Sequence, residues 1–290
     1  MNIHSRKSLD MKISPKTNIA LVLDIDKTLT PPRKPLNKTM AETLEKLSIP
    51  FWVAAGSHIR LLQHQFFEPL FTFGFRKQFE AFLGNGAIQY HCDYTKKMSI
   101  KEVAVFNLRS YLGETSYQGL RKILKETLVM DQFRMPPSLS ILDNRLVDRV
   151  SMLNLCPIGR MDKEDQKAKK NREAFIKFDK ATSYRDRMLD FLNQKLASLI
   201  TKKQLKITLG GETSFDIGIA GEDKTKPIRI LLQDGLKKVI FIGDALYPNG
   251  NDASIREFIK VWPSGSPCPV EAIQVNSWKE TKKILENLDR

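Results

Sequence analysis

The chain has 290 residues, 41% hydrophobic and 28% charged, with 15 glycines and 14 prolines. Such a balance builds one large globular domain or two modest ones and excludes a disordered or fibrous chain. Lysine and arginine outnumber aspartate and glutamate by 47 to 33, and the resulting net charge of +14 attracts anions; phosphorylated metabolites qualify, whereas no Arg/Gly repeat or basic–aromatic interleaving points to nucleic acid.

After a polar lead-in over residues 1–16, Ile19–Leu23 is an unbroken apolar run between polar residues, the pattern of a strand buried on both faces of a parallel sheet. Asn37 predicts the N-cap of a helix running to Leu47. Phe51–Ala55 predicts a second buried strand, and a helix follows from about His58. Alternating strands and helices imply right-handed crossovers and the α/β class. Gly84-Asn85-Gly86 interrupts the pattern, and Ala87–His91 reads as a hairpin strand. Val147–Leu155 alternates as one strand. Residues 163–204 predict helices with solvated charged faces around Phe175, Phe178, Met188, Phe191 and Leu192. Leu205–Leu209 and Phe215–Ile219 predict strands around Gly210-Gly211. Parallel-sheet texture returns at Val239–Ile242, and a helix over Lys279–Leu288 closes the chain. The expected organisation is a doubly wound, mostly parallel α/β core in two pieces, 17–88 and 219–290. An α+β cap is inserted between them over 89–218.

Cys92, Cys156 and Cys268 form no CxxC pair, so no disulfide framework is expected. No run approaches the ~18 apolar residues of a membrane span, and the first residues lack the apolar centre of a secretory signal. Cytoplasmic residence away from membranes is the expectation.

Three places carry chemistry. Asp24-Ile25-Asp26-Lys27-Thr28 follows directly on the first strand, and ligands of such sheets gather at the carboxyl ends of strands. Two carboxylates so close repel unless a cation or a task offsets them. The pattern divides the labour: Asp24 attacks a phosphoryl group and carries it as an aspartyl-phosphate, while Asp26 gives a proton to the leaving oxygen and takes it back later. Thr28 is placed to hydrogen-bond nearby. Ala55-Gly56-Ser57 ends the second strand, where the Ser57 hydroxyl suits a phosphate oxygen. Gly243-Asp244 and Gly250-Asn251-Asp252 follow a third strand. A carboxylate there completes an oxygen-rich site suited to Mg²⁺, with Asp252 orienting the ligands from behind. Lys224 could balance the aspartates and the transferring phosphoryl charge.

These motifs resemble the haloacid-dehalogenase-like superfamily. The likeness narrows at Asp24-Ile25-Asp26-x-Thr28-Leu29-Thr30-x-Pro32-Arg33, Met152-Leu153-Asn154 with Pro157-Ile158-Gly159-Arg160, Gly210-Gly211 with Ser214-Phe215-Asp216, and Gly243-Asp244 with Pro248 and Gly250-Asn251-Asp252. Together they are similar to the eukaryotic-type phosphomannomutases, over nearly the whole chain after the first ~16 residues. The resemblance implies reversible conversion of mannose 6-phosphate to mannose 1-phosphate through a hexose 1,6-bisphosphate, which also serves as activator. It implies Asp24 as nucleophile, Asp26 as acid/base, and Asp244 with the Asp26 backbone carbonyl as Mg²⁺ ligands. Arg33, Arg149, Arg160 and Arg172 match substrate-binding arginines, whose forked donors suit a distal phosphate. Ser214 and Asp216 match residues that hold sugar hydroxyls, and a homodimer through the cap is a further implication. A sugar-phosphate phosphatase on the same scaffold is the alternative, with water in place of the accepting sugar. Lys27 stands where the family has Gly, and His58 where an acidic residue is usual. The text after Asp252, Ala-Ser-Ile-Arg-Glu-Phe, does not match the family's second cation loop.

Overall fold

Residues 18–31, 34–160, 166–248 and 250–288 are described by the structure, a computed structural model. Strand β1, Ile19–Leu23, is buried along almost its whole length. Successive side chains of a strand point to opposite faces. Leu21 and Leu23 therefore join one apolar cluster with Met40, Leu44 and Phe66. Ala20 and Val22 join another with Ile228, Leu231 and Ile255. Asn37 caps helix α1, Lys38–Lys46, by accepting from the Met40 N–H at 3.0 Å, as the sequence predicts. Strand β2, Phe51–Ala54, follows. The helix expected from His58 is not uniform: α2, Ile59–Leu62, and α3, Glu68–Thr72, are joined by a π-helical turn over Gln63–Phe67. Next come β3, Gln78–Leu83, β4, Ile88–Asp93, and β5, Ser99–Val105.

Helices α4, Leu108–Leu112, and α5, Glu114–Thr127, lead to β6, Leu146–Asp148, and β7, Leu153–Leu155. The alternation over 147–155, which reads as one strand, is a hairpin: Val147 pairs with Asn154 and Asp148 with Leu153. The Asp148 carboxylate accepts from the Val150 N–H at 2.8 Å, and Val150 turns the chain at φ 66°. Period-two alternation continued straight through this turn and concealed it. Helices α6, Gln166–Thr182, α7, Tyr184–Lys195, and α8, Ala197–Lys203, precede β8, Leu205–Gly210, and β9, Ser214–Ile219. The chain ends through α9, Thr225–Gln233, β10, Lys238–Gly243, α10, Ala253–Lys260, β11, Val270–Gln274, and α11, Trp278–Leu288.

The large sheet has the order β11-β10-β1-β2-β3-β4-β5. Its first five strands run parallel, and β4 and β5 are added antiparallel. Residues of α1, α3 and α11 pack with one face and residues of α9 and α10 with the other, so the sheet is doubly wound. The small antiparallel sheet, β6-β7-β9-β8, has its own cluster with Leu120, Leu124, Phe175, Tyr184, Met188 and Leu192. The boundary expected at residue 88 lies too early. Strands β4 and β5 pair onto β3, and the chain leaves the large sheet only after Val105. Their mixed burial resembles any half-covered hairpin, so texture alone misassigned them. Among the described residues, no helix is long and apolar enough to cross a membrane.

Candidate active site

Parallel pairing puts the ends of β1 and β10 side by side, with Leu23 opposite Ile242. The Asp24 N–H donates to the Ile242 carbonyl at 2.9 Å, so Asp24 prolongs the ladder by one residue and Asp244 stands beside it. Carboxylate oxygens of Asp24, Asp244 and Asp252 lie within 4.8 Å of one another. Three of the expected aspartates, Asp24, Asp244 and Asp252, are thus brought together, while Asp26 stands outside this group.

Lys224 explains how this negative charge is kept. The side chain is fully buried, and its Nζ donates to Asp24 Oδ1 at 2.6 Å and to Asp252 Oδ1 at 2.5 Å. A buried ammonium without partners costs several kcal/mol, about as much as a buried carboxylate. Burial pulls the Lys224 ammonium down, but Asp24 and Asp252 outweigh it and hold it above its ordinary value. Burial pushes the Asp24 carboxyl above the usual carboxylate range, against the pull of Lys224 and with the help of Asp252 and Asp244. Sequence reasoning set Lys224 against the aspartates and the transferring phosphoryl charge; its ammonium is held between the carboxylates of Asp24 and Asp252. Asp252 has both oxygens engaged, since Oδ2 accepts from the Ala245 N–H at 3.1 Å. Its place is behind Asp24, holding Lys224. Two glycines allow this packing. A Cβ on Gly243 would come within 2.4 Å of Asp252 Oδ2, and one on Gly86 within 2.1 Å of the Asp223 carbonyl, next to Lys224.

The remaining donors are local. Thr28 Oγ1 donates to Asp24 Oδ2 at 3.0 Å. Asp26 is half-buried at the mouth, where its Oδ1 accepts from Gln65 Nε2 at 3.1 Å. Gln65 also donates to Thr30 Oγ1 at 2.9 Å. Sequence reasoning missed Gln65, since a lone glutamine before two phenylalanines carries no signal of its own. It sits on the π-helical turn, a feature that recurs at functional sites. Lys27 has φ 63° and places its ammonium 3.5 Å from Asp244 Oδ2. Burial pushes the Asp244 carboxyl up, and the Lys27 ammonium pulls against it. Ser57 lies at the end of β2, half-buried, and its carbonyl accepts from the Gly84 N–H at 3.2 Å.

A cleft of about 390 Å³ opens above these groups. Asp26, Lys27, Lys224 and Asp244 line it from the large sheet, and Met152, Lys206, Thr208, Gly210 and Asp216 from the small one. Leu153 and Leu155 point into the small lobe's apolar cluster, so Asn154 between them faces the other way, in one row with Asp216 and Thr208. Asn154 Nδ2 donates to Asp216 Oδ1 at 2.6 Å and to Ser214 Oγ at 3.2 Å, and its Oδ1 accepts from Arg160 Nε at 2.8 Å. Burial, and then the neighbouring Arg160 guanidinium, pull the Arg149 guanidinium below its usual range, while Asp216 supports its charge. Arg149, Arg160, Ser214 and Asp216 are therefore one cluster, and Asn154 is its unforeseen hub. Its position in the Met-Leu-Asn motif was the available signal.

Arg172 does not belong to that cluster. Its Nη2 donates to Glu212 Oε2 at 2.8 Å, on the exposed turn between β8 and β9, next to Gly211 at the edge of the cleft. In this arrangement Arg172, expected on the substrate, ties α6 to that turn through Glu212. Arg33 lies outside the described residues.

The carboxylates of Asp24 and Asp244 are hard oxygen donors at the open side of the cluster, a set that suits a small divalent cation. Comparison with known proteins agrees with the geometry. A family described as eukaryotic phosphomannomutase matches residues 37–286. Phosphomannomutase 2 of Dictyostelium discoideum is 30% identical over 256 residues, 87% of this chain and 92% of that one. A phosphomannomutase of Triticum aestivum is 28% identical over 242 residues, 82% of this chain and 86% of that one. Among solved structures, an IMP-bound IMP-nucleotidase of Plasmodium falciparum superposes with a TM-score of 0.57 at 16% identity, covering 94% of this chain and 68% of that one. A trehalose-6-phosphate phosphatase of Aspergillus fumigatus superposes with a TM-score of 0.52 at 14% identity, covering 93% and 92%. These two carry the likeness of fold, the haloacid-dehalogenase-like arrangement of a mostly parallel sheet.

Proposed function

The chain belongs to the eukaryotic phosphomannomutase family and is an enzyme of that kind, and from that premise we propose that it interconverts mannose 6-phosphate and mannose 1-phosphate. The observation that carries the proposal is the cleft itself. Asp26 and Asp244 line it on one side, and Thr208 and Asp216, polar groups that suit sugar hydroxyls, line it on the other.

Asp24 attacks the phosphorus of a hexose 1,6-bisphosphate, and the P–O bond to the sugar breaks as the aspartyl-phosphate forms. Asp26, steadied by Gln65, delivers its proton to the departing sugar oxygen. An incoming hexose monophosphate takes the phosphoryl group from the aspartyl-phosphate, and the bisphosphate so formed turns round in the cleft before Asp24 removes its other phosphate. In that transfer to the monophosphate Asp26 takes the proton of the accepting hydroxyl, whose oxygen receives the phosphoryl group as its bond to Asp24 breaks, and Asp24 is restored. Lys224 holds Asp24 in place with one oxygen directed at Thr28. Ser57, at the end of the neighbouring strand, meets a phosphoryl oxygen. Arg149 and Arg160 hold the distal phosphate, and Ser214 and Asp216 the sugar hydroxyls. The lobe between Val105 and the start of α9 acts as the cap.

Asp24, Asp244 and the Asp26 backbone carbonyl are the groups that would hold Mg²⁺. When bound, the cation neutralises charge between the nucleophile and the phosphoryl oxygens. A hexose bisphosphate as activator, a homodimer through the cap and residence in the cytoplasm complete the proposal.

The test is mannose 1-phosphate with Mg²⁺ and a catalytic amount of hexose 1,6-bisphosphate. Mannose 6-phosphate should accumulate only when the bisphosphate is present. Stoichiometric release of free phosphate without mannose 6-phosphate would assign the chain to the phosphatases instead.

A further inference from the structure

Lys27 occupies the loop between the two aspartates in a conformation that L side chains rarely adopt. Its φ of 63° lies in the left-handed region. That region costs a residue with a Cβ about 1–2 kcal/mol. Backbone cost of this kind persists where the surroundings hold it, and it clusters at functional sites. A glycine would adopt the same turn without the cost, so the lysine is retained for its side chain. The side chain is half exposed, yet the ammonium is 3.5 Å from Asp244 Oδ2, a carboxylate that is itself only 15% exposed. Both residues line the cleft. Lys224 serves Asp24 and Asp252 from the buried side. Lys27 serves Asp244 from the open side, where the oxygens suited to a divalent cation are presented. The cluster thus has two built-in ammonium groups, and only the outer one lies on a route from solvent.

We propose that Lys27 is a tethered cation that competes with the divalent metal for Asp244, so that metal binding requires Lys27 to swing out into the cleft. The inference rests on the proposed metal-dependent function and adds a determinant of metal affinity to it. An ion pair between Lys27 and Asp244 must be broken before a second cation takes the same oxygen, and the departing ammonium still repels an incoming dication at short range. The released side chain then ends among Asp26 and the cleft's polar row, on the side from which an anionic substrate enters. Metal binding and release of Lys27 are one linked event.

The experiment is titration calorimetry of the full chain with Mg²⁺ alone, in the wild type and in K27M, K27R and K27G. K27M should bind Mg²⁺ about tenfold more tightly than the wild type, because one unit charge at contact distance has been removed. K27R should bind as weakly as the wild type, because it keeps the charge. K27G should bind as tightly as K27M and also melt at higher temperature, because it alone relieves the backbone. In the wild type, saturating Mg²⁺ should raise the rate at which an amine-acylating reagent modifies Lys27, read by mass spectrometry. Equal Mg²⁺ affinity in the wild type and K27M, or unchanged acylation of Lys27, overturns the competition while leaving the metal site standing. No Mg²⁺ binding in any variant overturns the metal site and the competition together.

Discussion

Asp24 and Asp26 differ in what surrounds them, and that difference suits the parts proposed for them. Asp24 is buried and fastened by Lys224 and Thr28, which fixes a nucleophile's direction. Asp26 is half-buried, lines the cleft and accepts from Gln65 on one oxygen. Asp24→Asn keeps shape but loses the attacking carboxylate. Turnover should fall by about a thousandfold or more, and no acid-stable protein-bound phosphate should be trapped from labelled bisphosphate. Gln65→Leu leaves the nucleophile untouched and removes one hydrogen bond from the Asp26 carboxyl. Misplacement of a catalytic group by an ångström costs up to about a hundredfold, so kcat should drop by that order with KM nearly unchanged. A parallel rise in KM would show that Gln65 acts on binding instead. Asn154→Ala removes the hub between Arg160, Ser214 and Asp216. It should raise KM for the sugar phosphate in the same direction as Arg160→Ala, with little further change when the two are combined, because both disrupt one network.

At the scale of elements, the parallel strands are stabilised by what covers them. Phe79 on β3 is fully buried, with the rings of Phe51, Phe66, Phe67, Phe75 and Tyr94 at centroid distances of 5.4–6.4 Å. Those rings come from β2, the π-helical turn, the loop before β3 and the residue after β4, so one side chain ties several connections to the sheet. Phe79→Ala should cost about 3–5 kcal/mol of stability, measured by denaturant unfolding. A loss below about 1 kcal/mol would mean that the neighbouring rings collapse into the gap. The π-helical turn has a consequence for chemistry as well as packing. It buries Phe66 and Phe67 against β3 while its first half presents Gln65 to Asp26. Arg172 and Arg185 act at the same scale. Their bonds to Glu212 and to the Gly211 carbonyl moor the β8–β9 turn to α6 and α7, which steadies the row that carries Ser214 and Asp216.

Across the whole molecule, two lobes meet at the cleft, and Lys206 of β8 reaches Glu257 of α10 at 2.8 Å over its edge. Exposed pairs of this kind are worth about 0–1 kcal/mol and are screened by salt. A double-mutant cycle on Lys206→Ala and Glu257→Ala should therefore give a coupling below about 1 kcal/mol that fades as salt is raised. A larger, salt-resistant coupling would mark the pair as a fixed hinge support. A weak link suits a sugar that must turn round between two transfers, since the lobes need to part without much cost.

The sequence alone determined the parts whose physics is local or periodic. Unbroken apolar runs declared β1, β2 and β10, Asn37 declared the start of α1, and Asp24, Asp26 and Asp244 were legible because carboxylates at strand ends are costly unless used. The motif resemblance also led to Arg160, Ser214 and Asp216, which the fold gathers into one cluster. Tertiary structure decided the rest. Strands β4 and β5 belong to the large sheet because β3 offers a free edge, which no local pattern records. The 147–155 segment turns at Val150 because Asp148 caps a turn inside an otherwise regular alternation. Lys224 is held between Asp24 and Asp252, Gln65 reaches Asp26, and Arg172 is spent on Glu212, because each of these partners is distant in the chain. Charge pairing over 200 residues, as between Lys224 and Asp24, exists only once the sheet has aligned its strand ends.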